Sequence, residues 1–193
     1  MRHIAVFCAS HKGKNPHFES AAQELGQLIA LGGRTLVYGG SNLGYMGTVS
    51  DAVLSRGGRV VGVIPTIFSD EVIASQPVSE LVTVASMAER KEYIIHRSDG
   101  FVALPGGIGT LDELTEVLVA NQLGLCSKPV GILNVDGFFD FFLNQIIEME
   151  KEGFLRYGVM ESLFVEQSPD ILLKKMDAFQ PIPEDKLSKA IRR

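Results

Sequence analysis

The sequence predicts an α/β fold, an open parallel sheet wound on both faces by helices, and three observations carry that reading. Short β-branched apolar runs alternate with longer amphipathic segments along the chain, the pattern of strands joined by crossover helices. Strand candidates such as Val60-Val61-Gly62-Val63-Ile64 are apolar at consecutive positions, as strands are when helices cover both faces. Glycine-rich connections follow two of the strand candidates, at Gly39-Gly40 and at Pro105-Gly106-Gly107, and in such sheets ligands bind beyond the carboxyl ends of the strands. Together these define a single-domain, Rossmann-like doubly wound sheet.

Taken in order, Ile4–Ala9 reads as the first strand and Phe18–Leu31, with its 3.6-residue apolar period, as the first helix. Thr35–Tyr38 is β-branched and stops at two glycines, after which Gly47–Ser55 reads as a helix. Val60–Ile64 and Leu81–Val84 are the next strands, and Met87–Arg97 is a helix. Phe101–Leu104 leads through the second glycine segment into the helix Leu111–Leu123. Val130–Val135 and Leu163–Val165 complete the strands; Phe138–Lys151 and Pro169–Met176 complete the helices. No internal repeat or boundary between globular units is visible. The expectation is a domain over 1–179 and a polar tail over 180–193, where Gln180-Pro181-Ile182-Pro183 gives way to charged residues.

Composition narrows the function. With 193 residues, 46% of them hydrophobic, the chain can bury a full core. Its 18 basic against 23 acidic residues, a net charge of -5, provide no basic field for polymeric nucleic acid or anionic membrane. No apolar run spans a bilayer, and Ile4 to Ala9 is too short for a signal-peptide core, so a cytoplasmic location is expected. Cys8 and Cys126 make no disulfide framework and read as small buried hydrophobes. His3, His11, His17 and His96 have no paired spacing for zinc, so no metal site is expected.

Chemistry concentrates in three segments. Pro105-Gly106-Gly107-Ile108-Gly109-Thr110 forms a strand-turn-helix junction, where missing Cβ atoms and the free N–H groups of a helix start favour an anion such as phosphate. Glu113 follows one turn later and Glu116 one turn beyond that. Thr110-x-x-Glu113 also fits a capping box, a purely structural role. Gly39, Gly40, Gly44, Met46 and Gly47 make a second glycine-rich connection with neither the dinucleotide fingerprint nor the lysine of an ATP-type phosphate loop. Met87, Arg90 and Lys91 place two cations at the front of the preceding helix, positioned for an anionic ligand or simply for solvent. His11 and Lys12 lie in the first βα connection and are further candidates.

Taken together, Tyr38-Gly39-Gly40 through Met46-Gly47, Gly62-Val63-Ile64-Pro65, Met87-Ala88-Glu89-Arg90-Lys91 and Pro105 to Glu113 closely resemble the LOG (lonely guy) family of cytokinin riboside 5′-monophosphate phosphoribohydrolases. The family is often mislabelled lysine decarboxylase; no motif for a pyridoxal phosphate or pyruvoyl group accompanies that label here. The resemblance implies hydrolysis of the N-glycosidic bond of nucleoside 5′-monophosphates, especially N6-substituted adenine nucleotides, to free base and ribose 5-phosphate, without metal or organic cofactor. By resemblance Arg90 and Glu113 are catalytic. Gly39, Gly40, Gly44, Met46, Gly47, Met87, Lys91, Pro105, Gly106, Gly107, Ile108, Gly109, Thr110 and Glu116 form the substrate site, with Glu116 expected to orient the ribose hydroxyls and Lys91 to add binding. A further substrate glutamate of the family is best matched by Glu71. The family also implies a homodimer in which the partner helps complete the site, with Met87–Arg97 and Leu111–Leu123 as candidate interface elements. One departure concerns the base: where members carry Thr-Trp-Ala-Gln, this chain has Val119-Ala120-Asn121-Gln122, which makes plain AMP a candidate substrate. The alternative within the same fold is a nucleotide- or cofactor-binding carrier without turnover.

Overall fold

The computed structural model describes residues 1–68, 78–155 and 158–181. Glu71 and all but the first two residues of the expected tail lie outside them. The strands are β1 (His3–Phe7), β2 (Thr35–Tyr38), β3 (Arg59–Pro65), β4 (Glu80–Val84), β5 (Gly100–Ala103), β6 (Val130–Leu133) and β7 (Leu163–Glu166). They make one seven-stranded sheet in the order β4-β3-β2-β1-β5-β6-β7, parallel at every pairing. The helices are α1 (Pro16–Leu31), α2 (Gly44–Leu54), α3 (Met87–Arg97), α4 (Ile108–Gln122), α5 (Asp140–Lys151), the single turn α6 (Val159–Ser162) and α7 (Pro169–Asp177). The expected fold class is therefore the observed one, with the added short turns Thr66–Phe68, Val135–Gly137 and α6.

Alternation along each strand divides the apolar residues between two cores. Ile4, Val6 and Cys8 pack with Leu25, Ile29, Val49, Val53, Leu172 and Met176 of α1, α2 and α7. Ala5 and Phe7 face the other way, packing with Phe101, Ile94, Leu114, Val117 and Ile146 against α3, α4 and α5. Both cores are fully closed from water at the centre, which is why the central strands carry no alternating polar residues.

The helix ends follow local chemistry. Asn15 caps α1 by accepting the His17 N–H at 3.0 Å, with Pro16 at the first helical position. Ser86 caps α3 by accepting the Glu89 N–H at 3.2 Å, while the Glu89 carboxylate accepts the Ala85 N–H at 2.9 Å. The helix start at α4 lies three residues earlier than the periodicity suggests, with Gly107 as its uncapped N-terminal residue. The capping-box reading of Thr110 and Glu113 is thereby overturned: Thr110 is already inside the first turn and Glu113 in the second.

At the far end of α4, Asn121 is 1% exposed and fully engaged. Its amide donates to the Lys128 carbonyl at 2.8 Å and to Ser162 Oγ at 2.9 Å, and its oxygen accepts the Lys128 N–H at 3.2 Å and the Cys126 thiol at 3.0 Å. That network staples α4 to the approach of β6 and to α6. Replacing Asn121 by Ala strips partners from several buried groups, and a loss of about 2–4 kcal/mol is expected; urea unfolding followed by circular dichroism will show a lower midpoint at unchanged slope.

Candidate active site

The order of the strands fixes where a ligand sits. β1 and β5 are neighbours, yet the chain leaves β1 toward α1 on one face and leaves β5 toward α4 on the other. The two connections diverge and open a crevice at the carboxyl ends of β1 and β5. A cavity of about 270 Å³ fills that crevice. Its walls are Cys8 to His11 after β1, Met46 from α2, Met87 and Arg90 from α3, and Gly107, Gly109, Thr110, Asp112 and Glu113 from α4.

The two glycine-rich connections play different parts. At Gly44, φ is +57° and a Cβ would lie 2.4 Å from the backbone of Ser10 and His11, so only glycine lets α2 press against the first connection. Tyr45 N–H donates to the Ala9 carbonyl at 3.0 Å, which occupies the start of α2. Gly40 packs against Ile64 and Gly47 against the backbone of Asn42, so both shape the wall without lining it. The start of α4 is different: the first backbone bond recorded there is Thr110 N–H to Gly107 carbonyl at 3.1 Å, and a Cβ on Gly107 or Gly109 would meet no atom within 4 Å. The leading amides of a 15-residue helix thus face open cavity. Thr110 is buried with its hydroxyl against Gly106. Pro105 and Gly106 line a smaller apolar hollow behind the turn, with Phe18, Tyr45 and Phe138. Ile108 points outward, 83% exposed.

Across from that anion-binding end lies a nearly buried ion pair. Arg90 Nη2 and Glu113 Oε1 are 3.4 Å apart, and each side chain is 10% exposed. Arg90 is held by Met87 Sδ at 3.7 Å and rests on Gly39, where a Cβ would fall 1.8 Å from Nη2. Gly39 is therefore required by the close approach of the guanidinium and does not line the main cavity. Burial pushes the Glu113 carboxyl from 4.5 up to about 7; Arg90 opposes that rise, Asp112 adds to it, Lys91 opposes it and Glu116 adds to it. Cys8 lies close enough to feel both charges, and burial raises its thiol far above the usual range, which makes it the inert wall residue expected of a small hydrophobe.

Lys91 and Glu116, expected as substrate contacts, pair with each other beside the main cavity. The Lys91 ammonium lies 3.1 Å from Asp112 and 3.0 Å from Glu116, and neither Lys91 nor Glu116 lines the main cavity. Glu116 lies one turn beyond Glu113 on nearly the same face of α4, but its carboxylate pairs with Lys91 of α3 beside a narrow crevice that Glu113 also lines. Lys12 pairs with Glu19, whereas His11 reaches the cavity and its Nδ1 lies 3.2 Å from Ser10 Oγ. Val119 is half exposed on the outer face of α4 and Asn121 is buried, and neither lines the main cavity. Ala9, Ser10 and Asp112 are wall residues the sequence reasoning did not single out. The signal for them is the adjacency of β1 to β5, a long-range pairing.

The raised Glu113 carboxyl has a consequence for stability. Below its unfolded value near 4.5 the group is protonated in both states; between 4.5 and 7 only the unfolded chain releases the proton, so stability falls as pH rises through that window and levels off above it. At pH 8 the ionised side chain costs about 3 kcal/mol by that shift. Glu113→Gln should match the native protein's stability near pH 4.5 and exceed it at pH 8, which denaturant unfolding at the two pH values will read directly.

Comparison with known proteins adds the following. Residues 46–176 match the family model described as possible lysine decarboxylase. The chain is similar to a probable cytokinin riboside 5′-monophosphate phosphoribohydrolase of Oryza sativa subsp. japonica, 44% identical over 183 residues, 94% of this chain and 80% of that protein. It is also similar to a cytokinin riboside 5′-monophosphate phosphoribohydrolase of Arabidopsis thaliana, 39% identical over 189 residues, 98% of this chain and 83% of that one. Among solved structures it resembles the molybdenum cofactor binding protein of the phototrophic bacterium Rippkaea orientalis, with TM-score 0.69 and 25% identity, over 92% of this chain and 96% of that one. A Moco carrier protein from Chlamydomonas reinhardtii shares the fold at TM-score 0.68 and 24% identity, over 92% and 98% of the two chains.

Proposed function

The chain belongs to the LOG family of cytokinin riboside 5′-monophosphate phosphoribohydrolases, and from that premise we propose that the cavity at the ends of β1 and β5 is the site of hydrolysis. The protein is a hydrolase: nucleoside 5′-monophosphate and water give free base and ribose 5-phosphate. The observation that carries the site assignment is the Arg90–Glu113 pair facing the open start of α4 across one small cavity. The 5′-phosphate accepts from the amides around Gly107 and Gly109 and from Thr110. The ribose then lies toward Glu113. As the C1′–N bond breaks, its electron pair leaves with the base and positive charge grows on the sugar ring. The Glu113 carboxylate stabilises that charge and takes a proton from the water whose oxygen bonds to C1′, and the departing base gains a proton in turn, so that free base leaves and Glu113 returns to its carboxylate form. A carboxyl poised near pH 7 suits this proton transfer. Arg90 keeps it oriented and favours its charged form, and Arg90 Nε, without a partner among the described residues, retains a donor for substrate. Met46 and Met87 supply apolar wall.

The decarboxylase description of the family model is a poorer fit. No lysine lines the cavity among the described residues, and Lys91 is held by two carboxylates, so a pyridoxal-type aldehyde would find no amine there. Likeness to molybdenum-cofactor proteins supports the shared fold; a buried carboxylate beside an anionic ligand contributes nothing to mere carriage and favours turnover.

Two finer expectations complete the proposal. The protein acts as a homodimer through the outer face of α4, where Ile108, Val119 and Leu123 are 83%, 50% and 43% exposed along one side of the helix. It works in the cytoplasm, in keeping with the absence of any membrane-length apolar helix among the described residues.

Incubation with AMP and with its N6-isopentenyl analogue should release free base from at least one of them, detected by chromatography. Binding without release would support the carrier instead. Glu113→Gln should lower kcat by roughly 10²–10⁴-fold, and Gly39→Ala, which displaces Arg90, by roughly 10-fold or more at little cost in folding. Val119→Asp with Leu123→Asp should turn a dimer into a monomer in light scattering; a native protein already monomeric would contradict the interface.

A further inference from the structure

Lys91 approaches Glu113 from the neighbouring helix without entering the cavity. Its ammonium bridges Asp112 at 3.1 Å and Glu116 at 3.0 Å, and its side chain is 20% exposed. Those two carboxylates bracket Glu113 on α4, one residue before it and three after, and they stand four apart on one helix, where like charges repel. Lys91, Glu113 and Glu116 also share a narrow crevice with Phe7, Ile94 and Ile95. Burial opposes the charge on Lys91, but hydrogen bonds to Glu116 and Asp112 outweigh it and raise the ammonium above its usual value, so Lys91 stays a cation in this clamp at any ordinary pH.

We propose that Lys91 is a positioning residue for hydrolysis: by clamping Asp112 and Glu116 it fixes the turn of α4 that carries Glu113 and neutralises the carboxylates flanking it, keeping Glu113 available as an anion in the cavity. The proposal rests on Glu113 being the catalytic carboxylate, and it assigns Lys91 a task other than gripping substrate. The charged and titratable groups facing Glu113 are Arg90 and Lys91 from α3, Asp112 and Glu116 from α4, and the neutral Cys8 thiol from the end of β1. Arg90 contacts Glu113 itself, whereas the two flanking acids are paired to Lys91. With Lys91 removed, both acids are uncompensated and Glu113 holds its proton to higher pH. Because Asp112 is 55% and Glu116 38% exposed at the side chain, solvent screens part of that effect.

The test pairs two readouts on full-length protein. Side-chain carboxyl NMR gives the titration midpoint of Glu113, and base release from AMP gives kcat and KM across pH. In Lys91→Gln the Glu113 midpoint should rise by about half a pH unit or more, the acid limb of kcat should move up with it, kcat should recover at alkaline pH, and KM should change less than about threefold. Lys91→Arg should restore the native profile, and adding Asp112→Asn and Glu116→Gln to Lys91→Gln should return the midpoint toward native. An unmoved midpoint overturns the proposal, as does a tenfold rise in KM with an unchanged acid limb, which would mean that Lys91 holds the substrate's anion. If Lys91→Gln fails to fold, Lys91→Met, which keeps the apolar stem and removes the charge, decides by the same midpoint and pH profile. Absence of base release by the native protein would refute the hydrolase site while leaving the NMR midpoint to judge the clamp.

Discussion

The structure turns on one awkward interaction, the pairing of Arg90 with Glu113 in a nearly dry place. Removing two ions from water costs several kcal/mol each, and their mutual attraction recovers that only with good geometry. Here the recovery is incomplete, since burial outweighs Arg90 and leaves Glu113 ionising near 7. A fold that tolerates this must gain elsewhere, and it does so through two closed apolar cores and the saturated polar staple at Asn121. The pair then dictates its neighbours. Gly39 must lack a side chain for the guanidinium to lie on it, and Asp112 and Glu116 need a counter-charge that does not take the place of Arg90.

Sheet topology puts that pair to use. α3 and α4 belong to the same face of the sheet, and their starts both rise toward the crevice between β1 and β5. One helix therefore delivers the cation and the other delivers the carboxylate together with a free amino-terminal end. Positive helix dipole, open amides and a poised acid converge within a cavity of about 270 Å³. The start of α2, equally near, is closed by the Ala9 carbonyl, so the proposed phosphate site has one open helix start and not two. Polarity along the cavity, anion-binding at one end and proton-accepting at the other, matches a nucleotide whose phosphate and glycosidic bond lie at opposite ends of the ribose.

Much of this is legible in the sequence. Period and β-branching locate every strand to within two residues, and Arg90, Glu113, Gly107, Gly109 and Thr110 are all recoverable from motif chemistry. What escaped were relationships between elements. The capping signature is present at Thr110-x-x-Glu113, yet Ser86-x-x-Glu89 bears the same signature and does the capping; only the start of α4 at Ile108 tells the two apart. Lys91 and Glu116 look like substrate contacts because they are charged and near the motif, but their partnership depends on how α3 lies against α4. Val119 and Asn121 look like one base-recognition stretch, yet helical rotation sends the first outward and the second into the interior. The walls at Ala9 and Ser10 follow from β1 lying beside β5 across about a hundred residues of sequence, which no local pattern encodes.

The most direct test of the account is a crystal structure of the Glu113→Gln protein with AMP. The account predicts the 5′-phosphate on the amides of Gly107 to Thr110 and C1′ of the ribose facing the side chain at 113, with Arg90 still over Gly39. A phosphate seated elsewhere, or a nucleotide turned so that its glycosidic bond faces away from position 113, would contradict it.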